Sequence, residues 1–360
     1  MSFVALGIIA IEWALIGYSM AFAPGSALVG GLEWLGLRGV TAAPEPRYAE
    51  GIPHMAFMAF QMMFAIITPA LISGAVVGRM KFKAYALFIL LWGLVVYNPL
   101  AHWVWGPGGW IGEMGALDFA GGTVVHVSAG VSALVAALIL GPRTGGSSTE
   151  AREEAPHNVP FVVLGASLLW FGWFGFNAGS ALAADGLAAH AVVTTMLGAA
   201  AAVVSWITIE TALSGRPTAT GSSIAAVVGL VAITPGAGFV TPGAAMVIGA
   251  VTAAGSLGAL HLLGRTRLDD TLDVFACHGV GGMLGSVLTG VFATTSVNPA
   301  GADGLLFGNP SLVVIQTVGV VAAGAFAAAR DALNMSLLRV TMGLSASHIA
   351  AEYGLDSLQT

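Results

Sequence analysis

The chain has 360 residues, 57% of them apolar and only 8% charged, where a soluble domain carries roughly 25% charged residues. Its 12 basic and 18 acidic side chains cannot clothe a globule of this size, and mean hydropathy is +0.88. These values exclude a soluble globule and, with a net charge of −6 and scattered cations, a nucleic-acid binder; the lone Cys277 excludes an internal disulfide framework and a multi-cysteine zinc site.

At about 20 residues per crossing, ten apolar stretches are long enough to span a bilayer: 3–22, 53–78, 84–105, 122–140, 160–183, 189–212, 218–234, 242–263, 274–294 and 311–329. Uninterrupted apolarity argues for helices, because backbone groups in hydrocarbon must be satisfied within the segment and a barrel would alternate. The 50 glycines, about twice the usual ~7% share, suit close helix–helix approach in lipid. Connectors are short and carry turn residues such as Thr234-Pro235-Gly236 and Asn298-Pro299. The expected organisation is an all-α polytopic membrane domain over 1–330 and a cytoplasmic tail over 331–360.

With the N-terminus inside, the inner connectors hold Arg79, Lys81, Lys83, Arg143, Arg152, Arg216, Arg265 and Arg267, and the inner end holds Arg330 and Arg339. Only Arg38 and Arg47 fall outside, so the positive-inside bias places both termini in the cytoplasm. The first stretch lacks a basic n-region and carries Glu12, which makes it a span rather than a signal peptide.

Polar residues inside spans are costly and mark functional candidates. His126 in the fourth span and His278 in the ninth stand out, each followed by small residues, Ser128-Ala129-Gly130 and Gly279 with Gly281-Gly282. Either alone is as readily a structural histidine bonded to a backbone carbonyl. Two, in spans that correspond if the chain contains inverted half-repeats, favour a shared pathway at the interface between halves. Asp118 precedes His126 by eight residues and Asp273 precedes His278 by five. Asp118 has a simpler role open to it as a helix N-cap. Glu12, about nine residues into the first span, must be neutral or paired, with no partner evident from sequence; Glu210 lies close enough to an inner helix end to reach the interface.

Aromatic residues form a second group. Phe60-Gln61-Met62-Met63-Phe64 lies in the second span, His102-Trp103-Val104-Trp105 ends the third, and Trp170 to Phe176 fills the fifth. Trp103 and Trp110 are expected as interface anchors. Rings interrupted by glycine also suit a small cation, each contributing ~0.5–2 kcal/mol, with Ser180 adding a hydrogen-bond acceptor.

At these residues the sequence resembles the ammonium transporter (Amt/methylammonium permease/Rh) superfamily, on the Amt side. The strings that carry the resemblance are Asp118-Phe119-Ala120-Gly121-Gly122-Thr123-Val124-Val125-His126, Pro156-His157-Asn158, Gly172-Trp173-Phe174-Gly175-Phe176-Asn177-Ala178-Gly179-Ser180, and Asp273-Val274-Phe275 with His278-Gly279-Val280-Gly281-Gly282. They occur in the family's order, and the similarity runs from the first residue to about 340. The resemblance implies the ammonium-transporter fold, with two inverted half-repeats of four and five helices here and one further C-terminal helix. It also implies a homotrimer with one path per protomer. Carried over by motif, Phe60, Phe64, Trp105 and Ser180 are expected to recruit ammonium. Phe64 and Phe176 are expected to gate, His126 and His278 to line the pore as twin histidines, Asp118 to support the site, and Leu71, Leu169 and Val274 to form an apolar wall. The segment after Trp105 is one residue longer than the family pattern.

Three departures go with the resemblance. The first match is to the family's second helix, at Gly17-Tyr18-Ser19 onward, so the chain is expected to be a late-started sequence, a fragment or a natural ten-helix form. Glu12 replaces an apolar or amide residue. In the tail, Leu338-Arg339-Val340 and Gly354-Leu355-Asp356 are familiar, but the sequence between them is longer and the usual ending is missing.

The expected function is ammonium transport without a cofactor. The alternatives are an ammonium sensor signalling to a cytoplasmic PII-type partner, a non-conducting truncated form, and an intramembrane hydrolase using Ser180, His126 and Asp118. The last lacks a nucleophile-elbow pattern, and two histidines without a third ligand do not make a metal site.

Overall fold

The structure, a computed structural model, describes residues 1–143 and 156–346. Among the described residues the regular elements are helices, with no strand. Nine helices of the described residues are long and apolar enough to cross a bilayer. They are α1 (Ser2–Phe22), α2 (His54–Val76), α3 (Phe82–Glu113, interrupted after Trp105), α4 (Gly122–Leu140), α5 (Val159–Gly179), α6 (Gly186–Ser214), α8 (Pro242–Leu263), α9 (Phe275–Phe292) and α10 (Ser311–Thr341). The remaining expected span, 218–234, is a shorter apolar helix, α7 (Ala219–Ile233). Arg152 and Gly354-Leu355-Asp356, named above, lie outside the described residues.

Helix starts follow local chemistry. Asn158, Asp185, Thr218 and Thr241 each accept a hydrogen bond from a backbone N–H of the first turn, of Phe161, Ala188, Gly221 and Ala244 respectively. Pro242 occupies a first-turn position of α8, where no N–H is needed.

Two elements differ from the hydropathy reading. α7 has 15 residues and so rises about 22 Å, short of the ~30 Å hydrocarbon core. The turn that follows it, Thr234 to Gly238, is buried inside the protein, where non-helical backbone is tolerated at membrane depth. α10 runs on to Thr341, past the end of the apolar stretch at 329. Asp331, Asn334, Met335 and Leu338 are all buried, so helical periodicity carries the segment along its neighbours after hydropathy has fallen.

Charge gathers at the two ends. At one, the Arg79 guanidinium donates to the carbonyls of Ala75, Gly141 and Asp269, and Arg143 Nε lies 3.0 Å from Asp269 Oδ2. Burial alone would raise the Asp269 carboxyl; the bonds from Arg143 and the charge of Arg79 hold it below the usual carboxylate range. Beside this cluster the chain after α10 returns to the α2–α3 connector, through Lys81 N–H to the Leu344 carbonyl (2.8 Å) and Ala346 N–H to the Arg79 carbonyl (2.8 Å). At the other end, Arg47 bridges Glu33 (3.0 Å) and Glu45 (2.8 Å) and stacks over Trp34. Its hydrogen bonds lower both carboxyls from their ordinary value.

Candidate functional site

Two helix starts carry the buried imidazoles. Gly122–Val127 of α4 and Phe275–Val280 of α9 are π-helical turns, a departure from α geometry that recurs at functional sites. Before α4, the Asp118 carboxylate accepts four backbone N–H bonds. Oδ1 takes those of Gly121 (2.8 Å) and Gly122 (2.6 Å), and Oδ2 those of Thr123 (2.8 Å) and Val124 (3.2 Å). Burial pushes this carboxyl up from its ordinary value while the four donors pull it back. The chain enters the turn through Gly121 at φ +111°, a conformation that L side chains rarely adopt.

Before α9, Asp270 Oδ2 accepts the Phe275 N–H at 2.7 Å. Asp270 precedes His278 by the same eight residues that separate Asp118 from His126. Sequence reasoning singled out Asp273 instead; matching the eight-residue spacing would have found Asp270.

α4 and α9 cross at glycine. A Cβ on Gly130 would lie 2.1 Å from Gly279 N, and one on Gly282 would lie 2.9 Å from His126 Cβ. This approach sets His126 Nδ1 and His278 Nδ1 3.3 Å apart, with ring centroids 5.2 Å apart. The rings are 1% and 7% exposed, so they face each other inside the bundle and away from lipid. One Nδ1 must then carry the proton that the other accepts, and His126 Nε2 is buried with no protein partner.

Above the imidazoles the aromatic residues form a column. Phe176 lies 6.0 Å from His126 and 4.3 Å from Phe64, and Phe64 lies 4.9 Å from Phe60 and 5.7 Å from Trp105. Over this column opens a vestibule of about 460 Å³ bordered by Phe60, Trp105, Asp118, Ser180, Arg47 and Tyr48. Trp105 Nε1 donates to the Asp118 carbonyl at 2.8 Å, so the residue that starts α4 also fixes the indole. Ser180 Oγ donates to the Phe176 carbonyl at 2.9 Å, which leaves its oxygen lone pairs for an incoming donor.

Trp173, which sequence reasoning placed only within the aromatic run, stacks at 5.4 Å on His126. Its Nε1 donates to Thr234 Oγ1 at 2.9 Å in the buried turn after α7.

The remaining candidates lie further out. Val274 is buried against Gly74 and Leu71 is half-buried, whereas Leu169 is 39% exposed on α5. Trp103, expected as an interface anchor, is instead interior: it is 8% exposed, packs on Phe326 and donates to the Leu28 carbonyl. No hydrolytic arrangement forms, since the Ser180 hydroxyl is spent on a carbonyl and the Asp118 carboxylate on backbone N–H groups. Among the described residues no cluster of three or more His, Cys, Asp or Glu is placed to hold a metal ion.

The profile of the Ammonium Transporter Family matches residues 1–360. The chain is 48% identical over 356 residues to an ammonium transporter of Bacillus subtilis, covering 99% of this chain and 86% of that one. It is 41% identical to the ammonium transporter Amt1 of Archaeoglobus fulgidus, covering 100% and 88%. Among solved structures, Mep2 of Saccharomyces cerevisiae superposes with a TM-score of 0.89 at 37% identity, covering 96% of this chain and 78% of that one. A protein described as a sensor Amt protein superposes with a TM-score of 0.91 at 29% identity, covering 99% and 88%.

Proposed function

The chain belongs to the ammonium transporter family, a multi-pass membrane protein that transports ammonium and is not an enzyme, and from that premise we propose how its residues move the cargo. Phe60, Phe64, Trp105 and Ser180 recruit ammonium in the vestibule, the rings meeting its charge and Ser180 accepting one N–H. Phe64 and Phe176 close the passage below. Asp118 holds the architecture, fixing both Trp105 and the start of the helix that carries His126. Leu71 and Val274 line the apolar stretch, with Leu169 of α5 as its third member.

The energetics decide which species crosses. Moving an ion of this size into a medium of dielectric about four costs of order 20 kcal/mol by an idealised Born estimate. Removing its proton at neutral pH, from a pKa on the order of 9, costs roughly 3 kcal/mol. Ammonium therefore gives up its proton and crosses as ammonia, and the proton passes along His126 and His278, whose facing nitrogens exchange donor and acceptor roles. The observation that supports this is the 3.3 Å Nδ1–Nδ1 contact beneath the closely packed rings of Phe64 and Phe176. In proteoliposomes, His278→Ala is expected to abolish or re-select the ammonium-evoked current; unchanged current and unchanged ion selectivity overturn the relay.

Both termini face the cytoplasm in this reading, and the protein acts as a homotrimer. A sensing role beside transport is the second reading, favoured by the superposition on the sensor Amt protein. Its partner is a PII-type protein at the cytoplasmic connectors, and a pull-down with and without ammonium, scored beside flux, separates the two.

A further inference from the structure

Glu12 lies in the middle of α1 and is 4% exposed. Its Oε1 accepts a hydrogen bond from Asn98 Nδ2 of α3 at 2.7 Å. The other oxygen of each group, Glu12 Oε2 and Asn98 Oδ1, is buried with no hydrogen-bond partner in the protein. Both orphaned atoms are acceptors on the same acid–amide pair, and buried acceptors normally have a donor. The neighbour across the pair is the neutral carboxamide, and the ion pairs of the described residues, around Arg47, Arg79 and Arg143, lie at the ends of the molecule. A bare carboxylate at this depth is costly.

The surroundings narrow what completes the pair. It is pressed between two π-helical turns, Trp13–Gly17 of α1 and Gly93–Tyr97 of α3. A Cβ on Gly17 would lie 2.8 Å from Oε2 and 3.1 Å from Asn98 Nδ2, and one on Gly93 would lie 3.5 Å from Oε2. Backbone this close leaves no space for a hydrated metal ion. A proton needs none. Tyr97, the titratable residue of these two turns, has a buried hydroxyl without a partner, on a ring packed against Trp13 (6.0 Å) and Trp92 (6.3 Å).

We propose that Glu12 and Asn98 form an intramembrane binding site for one proton, apart from the His126–His278 path, in which Glu12 Oε2–H donates to Asn98 Oδ1 and closes a cyclic acid–amide pair. A single proton satisfies both orphaned acceptors and removes the charge. A glutamine at position 12 reproduces both bonds without it, which makes Glu12→Gln the neutral stand-in.

The test is infrared difference spectroscopy on the whole 360-residue chain in lipid. Wild type minus Glu12→Gln at neutral pH is expected to leave the carbonyl stretch of one protonated carboxylic acid, shifted by deuterium exchange. A carboxylate band in its place overturns the proposal. If Glu12→Gln does not assemble, wild-type protein decides through a lipophilic carbodiimide, which adds across a protonated carboxyl to leave an N-acylurea with no atom lost. The outer face of α1 beside Glu12 borders an apolar groove lined by Leu6, Ile11, Leu15, Leu90 and Leu94, through which such a reagent arrives. An adduct on the Glu12 peptide whose yield falls toward alkaline pH supports the site; no adduct at neutral or mildly acidic pH overturns it.

Discussion

Adding one methyl group at the crossing of α4 and α9 tests whether helix spacing sets the histidine contact. In Gly130→Ala the new Cβ would start 2.1 Å from Gly279 N and 2.3 Å from Gly279 Cα. Carbon contacts settle near 3.5 Å, so the helices must part by about 1.4 Å. Backbone sits on both sides of the contact, so no side chain can rotate out of the way. A comparable parting of the rings takes the Nδ1 atoms from 3.3 Å to beyond hydrogen-bond reach. Overpacking of this kind costs about 1–3 kcal/mol, which leaves a folded protein with a total stability of about 5–15 kcal/mol intact. Losing the hydrogen bond, worth about 0.5–1.5 kcal/mol, slows a step that depends on it by up to about tenfold. The assay is ammonium-evoked current in proteoliposomes, normalised to protein that elutes as wild type by size-exclusion chromatography. Gly258→Ala on α8, where a Cβ meets nothing within 4 Å, is the matched control and should conduct as wild type. A well-folded Gly130→Ala with full current would refute the argument that this crossing sets the relay.

Asp118→Asn keeps the shape of the side chain but replaces one accepting oxygen by an amide that faces two N–H donors. At about 1–3 kcal/mol per unsatisfied buried donor, the loss is about 2–6 kcal/mol, so the thermal midpoint in detergent should fall by many degrees; an unchanged midpoint contradicts the four-donor account. Asp269 supplies a pH dependence. Its folded carboxyl titrates below its unfolded value, so its contribution is fully present above the ordinary carboxylate range and is lost as pH falls through the lowered folded value. Asp269→Asn should be less stable than wild type at neutral pH, with the gap closing in acid; a gap that stays constant with pH is the contrary result.

Much of this molecule was legible because lipid imposes simple rules. Nine of the ten expected spans followed from apolar run length, the tenth being the shorter α7, and His126, His278 and Asp118 stood out as polar residues where hydrocarbon leaves no water to satisfy them. The end of α10 was not legible, since hydropathy falls at Arg330 while Asp331, Asn334 and Leu338 keep helical spacing against buried neighbours. Trp103 was misplaced because an indole near a helix end reads as an anchor, whereas its N–H is satisfied by the Leu28 carbonyl from a distant loop. Asn98 as the partner of Glu12 required the third dimension. Neither π turn is encoded by a local pattern, and the two side chains are 86 residues apart. Of the candidate site, the aromatic and histidine members were named from motif strings. The glycines that bring α4 against α9 were noted only as small residues, because which helix they meet is a property of the packing.

The Arg79 cluster has a consequence for how cargo passes. One guanidinium fastens the end of α2, the chain leaving α4 and the approach to α9, so the opening and closing parts of the polypeptide are bolted together at that membrane face. Swinging one part against the other would separate the buried Arg79–Asp269 pair, and leaving one partner of such a pair uncompensated costs about 3–5 kcal/mol. Under the proposed mechanism, a frame locked in this way suits a sieve with a small moving shutter instead of an airlock with two heavy doors.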